Sequence, residues 1–299
     1  MPRQKRKLTL DLVKKRVDKL PILPAVVCEL LSLNTSSPTC FEQVLSLSKR
    51  SPSLTAKILR LANSAKISPL NNVNNLHQAI VRIGIDRIIA ISTMTSVLKV
   101  FIPSTPEQKD IWRHSILTAY LAEYIAQNTK KFSVEKDFAY TCGLLHDIGR
   151  LILFEISKNA TNAIDAKGWD TPIELPEVEK KLLGFTHADV GELSAIKWGL
   201  PHSIVNVIKY HHDYDLTKLP SLPKDADMIR VVQLADHISI FLVKHLWSDW
   251  EKEYFEQQLT EHCTAKLPSI IDISEANLIN EIPIIVSKCE SEMKKLLLN

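Results

Sequence analysis

Gly143–Leu151 reads GLLHDIGRL, an apolar helical run with a histidine and an aspartate, His146 and Asp147, side by side in its middle. Burying an aspartate costs several kcal/mol, on the order expected for an ion, unless positive charge or hydrogen bonds compensate it. The segment therefore has to face something that meets Asp147. The other helical segments show what that is.

Helical periodicity dominates the 299 residues: glycines number only seven and alternating strand patterns are nearly absent. Upstream, Ser51 is placed to cap a helix with Pro52 at its first position, and Leu54, Ile58, Leu61 and Ala62 form one face of it. SPLNNVNNL (68–76) reads as a polar loop, and helix resumes over Leu76–Val100. IPSTPEQ (102–108), with two prolines, reads as the joint between two helical halves. Beyond it, helices are expected at about 110–128, 137–156, 187–198, 201–212 and 226–246, with a further set after 249. A looser connection containing Gly168, Pro172, Pro176 and Gly184 is expected between 157 and 186. The fold class is all-α in two lobes. Residues 1–105 form an amino-terminal lobe with 1–15 as a tail, 106–247 form a second lobe, and 248–299 form an extension packed on the second.

Five of these helices place a histidine, an aspartate or both where a core residue belongs. Asp147 shares a face with Leu144, Ile148 and Leu151, and His114 shares one with Leu117 and Leu121. His187 opens a helix that Thr186 can cap, with Asp189 completing a capping box. His211 and His212 end a helix whose buried side is Ile204, Val205 and Ile208, and Asp236 lies on the stripe of Ile229, Val232, Ile240 and Val243. Each alone is explained as a core histidine or a hydrogen-bonded core aspartate. Together they are not, because two buried carboxylates require positive charge nearby. Imidazoles and carboxylates converging from facing helices build metal sites in helical bundles, and such nitrogen and oxygen ligands suit iron, manganese, zinc or nickel. His77, His202, His237, His245 and His262 stand outside this pattern and read as surface or structural residues.

Composition narrows the partners. Hydrophobic residues make up 45% and charged residues 24%, an ordinary globular balance, and a net charge of +3 is too small to argue for nucleic acid. The basic MPRQKRK start reads as a solvated tail. Five scattered cysteines without CxxC spacing argue against a disulfide framework or a cysteine zinc site and fit a reducing cytoplasm. LTLDLVKKR is charged where a signal peptide would be apolar. The most hydrophobic run, Ile88–Leu98, is far short of the ~20 residues of a membrane helix.

The ordered set His114, His146–Asp147, His187, His211–His212 and Asp236 resembles the H…HD…H…HH…D pattern of the HD metal-dependent phosphohydrolase superfamily. LPILPAVVCELL (20–31), SPSLTAKILRLANSA (51–65) and NLHQAIVRIGIDRI (75–88) narrow the resemblance to HDOD proteins, the HD-related output domains, over about residues 16–246. That resemblance implies a two-lobed helical fold, a role in bacterial signal transduction through a protein partner, and a metal-capable site. HDOD domains are grouped as outputs and many lack part of the HD ligand set, whereas this chain carries all of it. The alternative is a phosphohydrolase or phosphodiesterase acting on a nucleotide, a cyclic dinucleotide or another phosphorylated ligand. Against the HD-GYP phosphodiesterases, HHDYDLTKLP (211–220) has no GYP, and HDIGR ends in Arg150 where lysine is usual.

If metals bind, the seven residues His114, His146, Asp147, His187, His211, His212 and Asp236 are the expected ligands. As many as two ions are expected, with Asp147 bridging them. In the enzymatic alternative, Asp147 and Arg150 are the catalytic residues, Arg150 neutralising phosphoryl charge one turn after His146. Asp110, one turn before His114, is a further candidate acidic ligand whose simpler role is a helix-start carboxylate.

Overall fold

A computed structural model describes residues 8–19, 23–63, 73–218, 225–245, 250–264 and 278–297. The basic start (1–7) and most of the polar stretch 68–76 lie outside the described residues. Regular structure is helical throughout, with no strand among the described residues. The chain divides into two compact units, one of residues 21–100 and 198–201 and the other of everything else. No helix among the described residues is long and apolar enough to cross a membrane.

The smaller unit contains α2 (Ala25–Leu31), α3 (Cys40–Lys49), α4 (Pro52–Ala62), α5 (Leu76–Ile83) and α6 (Ile85–Val100). Ser51 caps α4 through Oγ, which accepts from Leu54 N at 3.4 Å, and Leu54, Ile58 and Ala62 are buried as the periodicity requires. Asn63 then pins the chain after α4. Its amide donates to Leu59 O and Val73 O, and its Oδ1 accepts from Val73 N at 2.6 Å. The single helix expected over Leu76–Val100 is two helices, because Gly84 between them adopts φ +88°, a left-handed value that ends α5.

The larger unit contains α1 (Leu10–Val17), α7 (Pro106–Asn128), α8 (Lys136–Leu145), α9 (Ile148–Asp165), α10 (Glu174–Leu183), α11 (His187–Lys197), α12 (His202–Tyr210), α13 (Ala226–Lys244), α14 (Lys252–Thr264) and α15 (Leu278–Leu297). The central helix is α7, which packs against α8, α13 and α15. A capping box starts it: Thr105 Oγ1 accepts from Gln108 N at 3.3 Å while Gln108 Oε1 accepts from Thr105 N at 3.2 Å. Trp112 is fully buried and its indole N–H donates to Phe101 O at 2.9 Å.

Three findings differ from the sequence reading. Residues 10–15, expected in a tail, belong to α1, which buries Val13 and Val17 and is tied down where Lys197 Nζ donates to Val17 O at 3.1 Å. The basic residues Lys14, Lys15 and Arg16 at its carboxy end suit the helix dipole. The expected 137–156 helix is broken at His146–Asp147 into α8 and α9. The 157–186 connection is largely helical, since α9 runs on through a kink at Ser157 and α10 follows.

Glycines let the helices that frame the break come unusually close. A Cβ on Gly149 of α9 would lie 1.9 Å from His187 O, and one on Gly191 of α11 would lie 2.6 Å from an Ile208 methyl. Gly143 of α8 sits against α7, where a Cβ would meet Ala119 Cα and Thr118 O at 2.9 Å. Only hydrogen fits at these crossings. The residues that flank them, His146, Asp147 and His187, are thereby drawn to one point.

Candidate metal centre

The HD pair sits in the turn between α8 and α9. His146 keeps helical angles (φ −53°, ψ −41°) at the end of α8, while Asp147 turns to φ −98°, ψ 17° ahead of α9. Those values lie in the sparsely populated bridge region, where residues of functional sites are often found. Asp147 has the helix-capping position but makes no side-chain cap bond, so its carboxylate is directed elsewhere. It meets His114 from α7, His187 from the first position of α11, and His211 from the turn after α12. Asp236, in the middle of α13, joins from the other side. Thr186 and Asp189 form the expected box at the start of α11, with Thr186 N donating to Asp189 Oδ2 at 2.7 Å and Asp189 N to Thr186 Oγ1 at 3.2 Å.

All seven residues expected as ligands converge. They form two groups, one of Asp147, His187, His211 and His212 and the other of His114, His146 and Asp236. In the first, His187 Nε2 lies 3.0 Å from Asp147 Oδ1, 3.2 Å from His211 Nε2 and 3.0 Å from His212 Nε2. In the second, His114 Nε2 lies 3.2 Å from His146 Nε2 and 3.2 Å from Asp236 Oδ1. Asp147 joins the groups, since Oδ1 faces His187 while Oδ2 is 3.4 Å from His114 Nε2.

The outer nitrogens fix which atom each ring presents. Carbonyl oxygens only accept, so His146 Nδ1, 2.7 Å from Gly143 O, and His211 Nδ1, 2.8 Å from Ile208 O, carry hydrogens. His187 Nδ1 donates to Glu179 Oε2 at 2.8 Å. Ser239 Oγ donates to His114 O at 3.2 Å and so accepts from His114 Nδ1 at 2.9 Å. In the neutral rings of these four histidines Nε2 then presents a lone pair to its neighbours. Lone pairs 3.2 Å apart, as between His114 and His146 and between His187 and His211, repel unless they share a cation. Adjacent ligands around an ion with bonds of about 2.1 Å stand roughly 3.0–3.4 Å apart, so the spacing fits a metal. Among the described residues, Asp236 Oδ2 and His212 Nδ1 are buried without a hydrogen-bond partner, and Asp236 Oδ2 adds a vacant acceptor to the set.

Charge points the same way. Among the described residues, the buried carboxylates of Asp147, Asp236 and Glu179 are accompanied by one buried guanidinium, that of Arg150 beside Asp147, which leaves two negative charges for protons or a divalent ion to neutralise. Burial is the largest single influence on each titrating group and opposes its charged form. Asp147 is nevertheless held well below the carboxylate range by His146 and His187, and Asp236 by His114 and His146. His146 is raised by Asp147 and Asp236, and His187 is raised to about 10 by Glu179 and Asp147. For His211 and His212 burial prevails and both are lowered.

Arg150 reaches the edge of this ring, with Nη1 3.6 Å from Asp147 Oδ2, Nη2 3.5 Å from Asp165 Oδ1 and its guanidinium 5.0 Å from the Trp169 ring centre. Asp110 does not join: it is exposed and paired with Arg113 at 3.1 Å. His237 is fully buried outside the ring, its Nε2 2.9 Å from Tyr214 Oη. Sequence reasoning missed Glu179 and Ser239. Glu179 was legible in principle, because it shares a helical stripe with Leu175, Leu182 and Leu183, where a carboxylate is out of place.

Comparison with known proteins places this ring in context. Residues 20–214 match the family model of the HDOD domain. The chain belongs to the HDOD family. The match takes in His114, His146–Asp147, His187 and His211–His212, and stops short of Asp236. An uncharacterized protein of Treponema pallidum is 23% identical over 231 residues, 77% of this chain but 44% of its own length, so the HDOD chain spans less than half of that relative. Two solved structures share the fold. One, from Shewanella amazonensis, bears a name that suggests a phosphohydrolase and is 23% identical, with TM-score 0.65 over 95% of this chain and 97% of its own. The other, from Marinobacter aquaeolei, bears a name that suggests a signal transduction protein and is 18% identical, with TM-score 0.68 over 96% of this chain and 60% of its own.

Proposed function

We propose that this HDOD protein is a cytoplasmic signal-transduction output module that acts through a protein partner, and that its His/Asp ring is a metal centre that holds the larger unit together. The observation carrying this reading is the enclosure of six of the seven donors, His212 alone being half-buried. His146, His187 and His211 are 0% exposed, and His114, Asp147 and Asp236 are 2% exposed. A catalytic centre needs a coordination position that a substrate can reach, whereas a structural centre is closed. The ring draws on α7, the α8–α9 turn, α11, the turn after α12, and α13. Its donors thus tie together segments as far apart as His114 and Asp236. Five free cysteines suit a reducing compartment.

One observation favours a second reading, a metal-dependent phosphohydrolase acting on a nucleotide or cyclic dinucleotide. The donor set is complete in both groups, and Asp147 offers one oxygen to each. One divalent ion balances the two surplus negative charges, but two ions leave positive charge that an anion such as a phosphate would satisfy. Metal ions at such a site, when bound, activate water and polarise phosphoryl oxygens. Asp147 and Asp236 would hold them, and Arg150 would place its charge beside Asp147.

The experiment is metal analysis of protein purified without chelator or a histidine tag. Hydrolysis of bis(p-nitrophenyl) phosphate and a panel of nucleotides and cyclic dinucleotides is assayed alongside. The proposal expects about one equivalent of a transition metal, absent from Asp147→Ala, and no turnover. Turnover that requires both the metal and Asp147 would establish the second reading instead. Absence of metal, even after reconstitution with iron, manganese, zinc and nickel, would remove the centre altogether.

A further inference from the structure

Glu179 is a fully enclosed carboxylate to which both readings give charge but no role at the donors. It is 1% exposed and lies on the α10 stripe that buries Leu175 and packs Val178, Leu182 and Leu183 against the core. A leucine at this position would satisfy the stripe, and burying a charge there is costly without a partner. The partner is a single residue. Glu179 Oε2 accepts from His187 N at 2.9 Å and from His187 Nδ1 at 2.8 Å, so one oxygen fixes both the backbone and the ring of His187. His146 and His211 rest their Nδ1 hydrogens on backbone carbonyls and His114 rests its own on Ser239, whereas His187 gives its to a carboxylate. His187 is also the hub of its group, with Asp147, His211 and His212 all within 3.2 Å of its Nε2.

We propose that Glu179 is the positioning residue of the centre. It holds His187 in the Nδ1–H tautomer, aims Nε2 at the point shared with Asp147, His211 and His212, and so sets the affinity of that group for a divalent transition metal. The inference rests on the ring being a metal centre. A carboxylate on the outer nitrogen strengthens the inner nitrogen as a donor, and removing such a group typically weakens metal binding about 10–100-fold. The competing role is structural. The same oxygen also accepts the first N–H of α11, as a helix cap does.

The two roles separate in Glu179→Gln, which keeps volume and an acceptor oxygen but loses the charge, set beside Glu179→Ala and wild type. The full chain is titrated with Mn²⁺ and with Zn²⁺ against a chelating indicator. Melting of the metal-free protein and the histidine tautomers, read by long-range ¹⁵N–¹H NMR, are recorded in parallel. The expected result is about 10-fold weaker binding in Glu179→Gln, titrated at a temperature where its metal-free form is fully folded. Glu179→Ala should lose up to about 100-fold, with a His187 ring that mixes tautomers. Wild-type affinity in Glu179→Gln overturns the proposal and leaves Glu179 a cap. So does an affinity loss that disappears when both proteins are titrated fully folded. A wild-type protein that binds neither ion, nor iron or nickel on reconstitution, overturns the metal-centre reading itself, a different result from either.

Discussion

At the scale of single residues, the question is why a carboxylate is buried in the middle of a helical core. Asp147 is 2% exposed and faces His114, His146, His187 and His211 within 3.0–3.8 Å, so its charge is met on both oxygens. Asp147→Ala removes the atom that both donor groups share and is expected to cut bound metal at least 10-fold, measured by elemental analysis of the purified protein. Asp110→Ala is the contrasting case. Asp110 is exposed and its pairing with Arg113 is worth little, so metal content should hold and stability should move by less than about 0.5 kcal/mol in urea unfolding. The seven ring residues were legible because histidine and aspartate on apolar stripes stand out against their neighbours. Glu179 was not singled out, since the glycines and prolines around it read as loose connection and hid the stripe.

At the scale of elements, the ring depends on helices packing closer than side chains normally allow. Gly149 is the critical contact, with the position of an added methyl 1.9 Å from a backbone oxygen that cannot rotate away. Gly149→Ala must push α9 from α11, separating Asp147 from His187, which now stand 3.0 Å apart. The expected cost is about 3 kcal/mol or more, with loss of metal binding, as read by thermal melting and metal titration together. Gly84→Ala tests whether this effect is specific. Its cost is backbone strain at φ +88°, ψ 150°, a region kept almost entirely by glycine, about 1–3 kcal/mol, with open space around the new methyl and no change in metal affinity. Helix identities were legible from periodicity, but the breaks at Gly84 and at His146–Asp147 were not. Both sides of each break carry the same period, and only backbone angles reveal the interruption.

At the scale of the whole molecule, a metal at this ring would act as a cross-link. It would bind residues from five segments that come together only in the folded larger unit, so its binding energy would be folding energy for that unit. At a free ion concentration about 100 times Kd the gain is about 2.7 kcal/mol, and chelation should remove it. The smaller unit, whose helices α2–α6 contribute no donor, should not feel this directly. Hydrogen–deuterium exchange with and without chelator can separate the two. Faster exchange confined to α7, α8, α9, α11, α12 and α13, with α2–α6 unchanged, is the pattern a closed structural centre produces. Unchanged exchange everywhere would mean that protons on His146 and His187, with the hydrogen bonds behind them, already hold the ring. Because an ion that binds the folded ring and not the unfolded chain must stabilise the fold, that result would count against a bound metal rather than point to chemistry on a ligand.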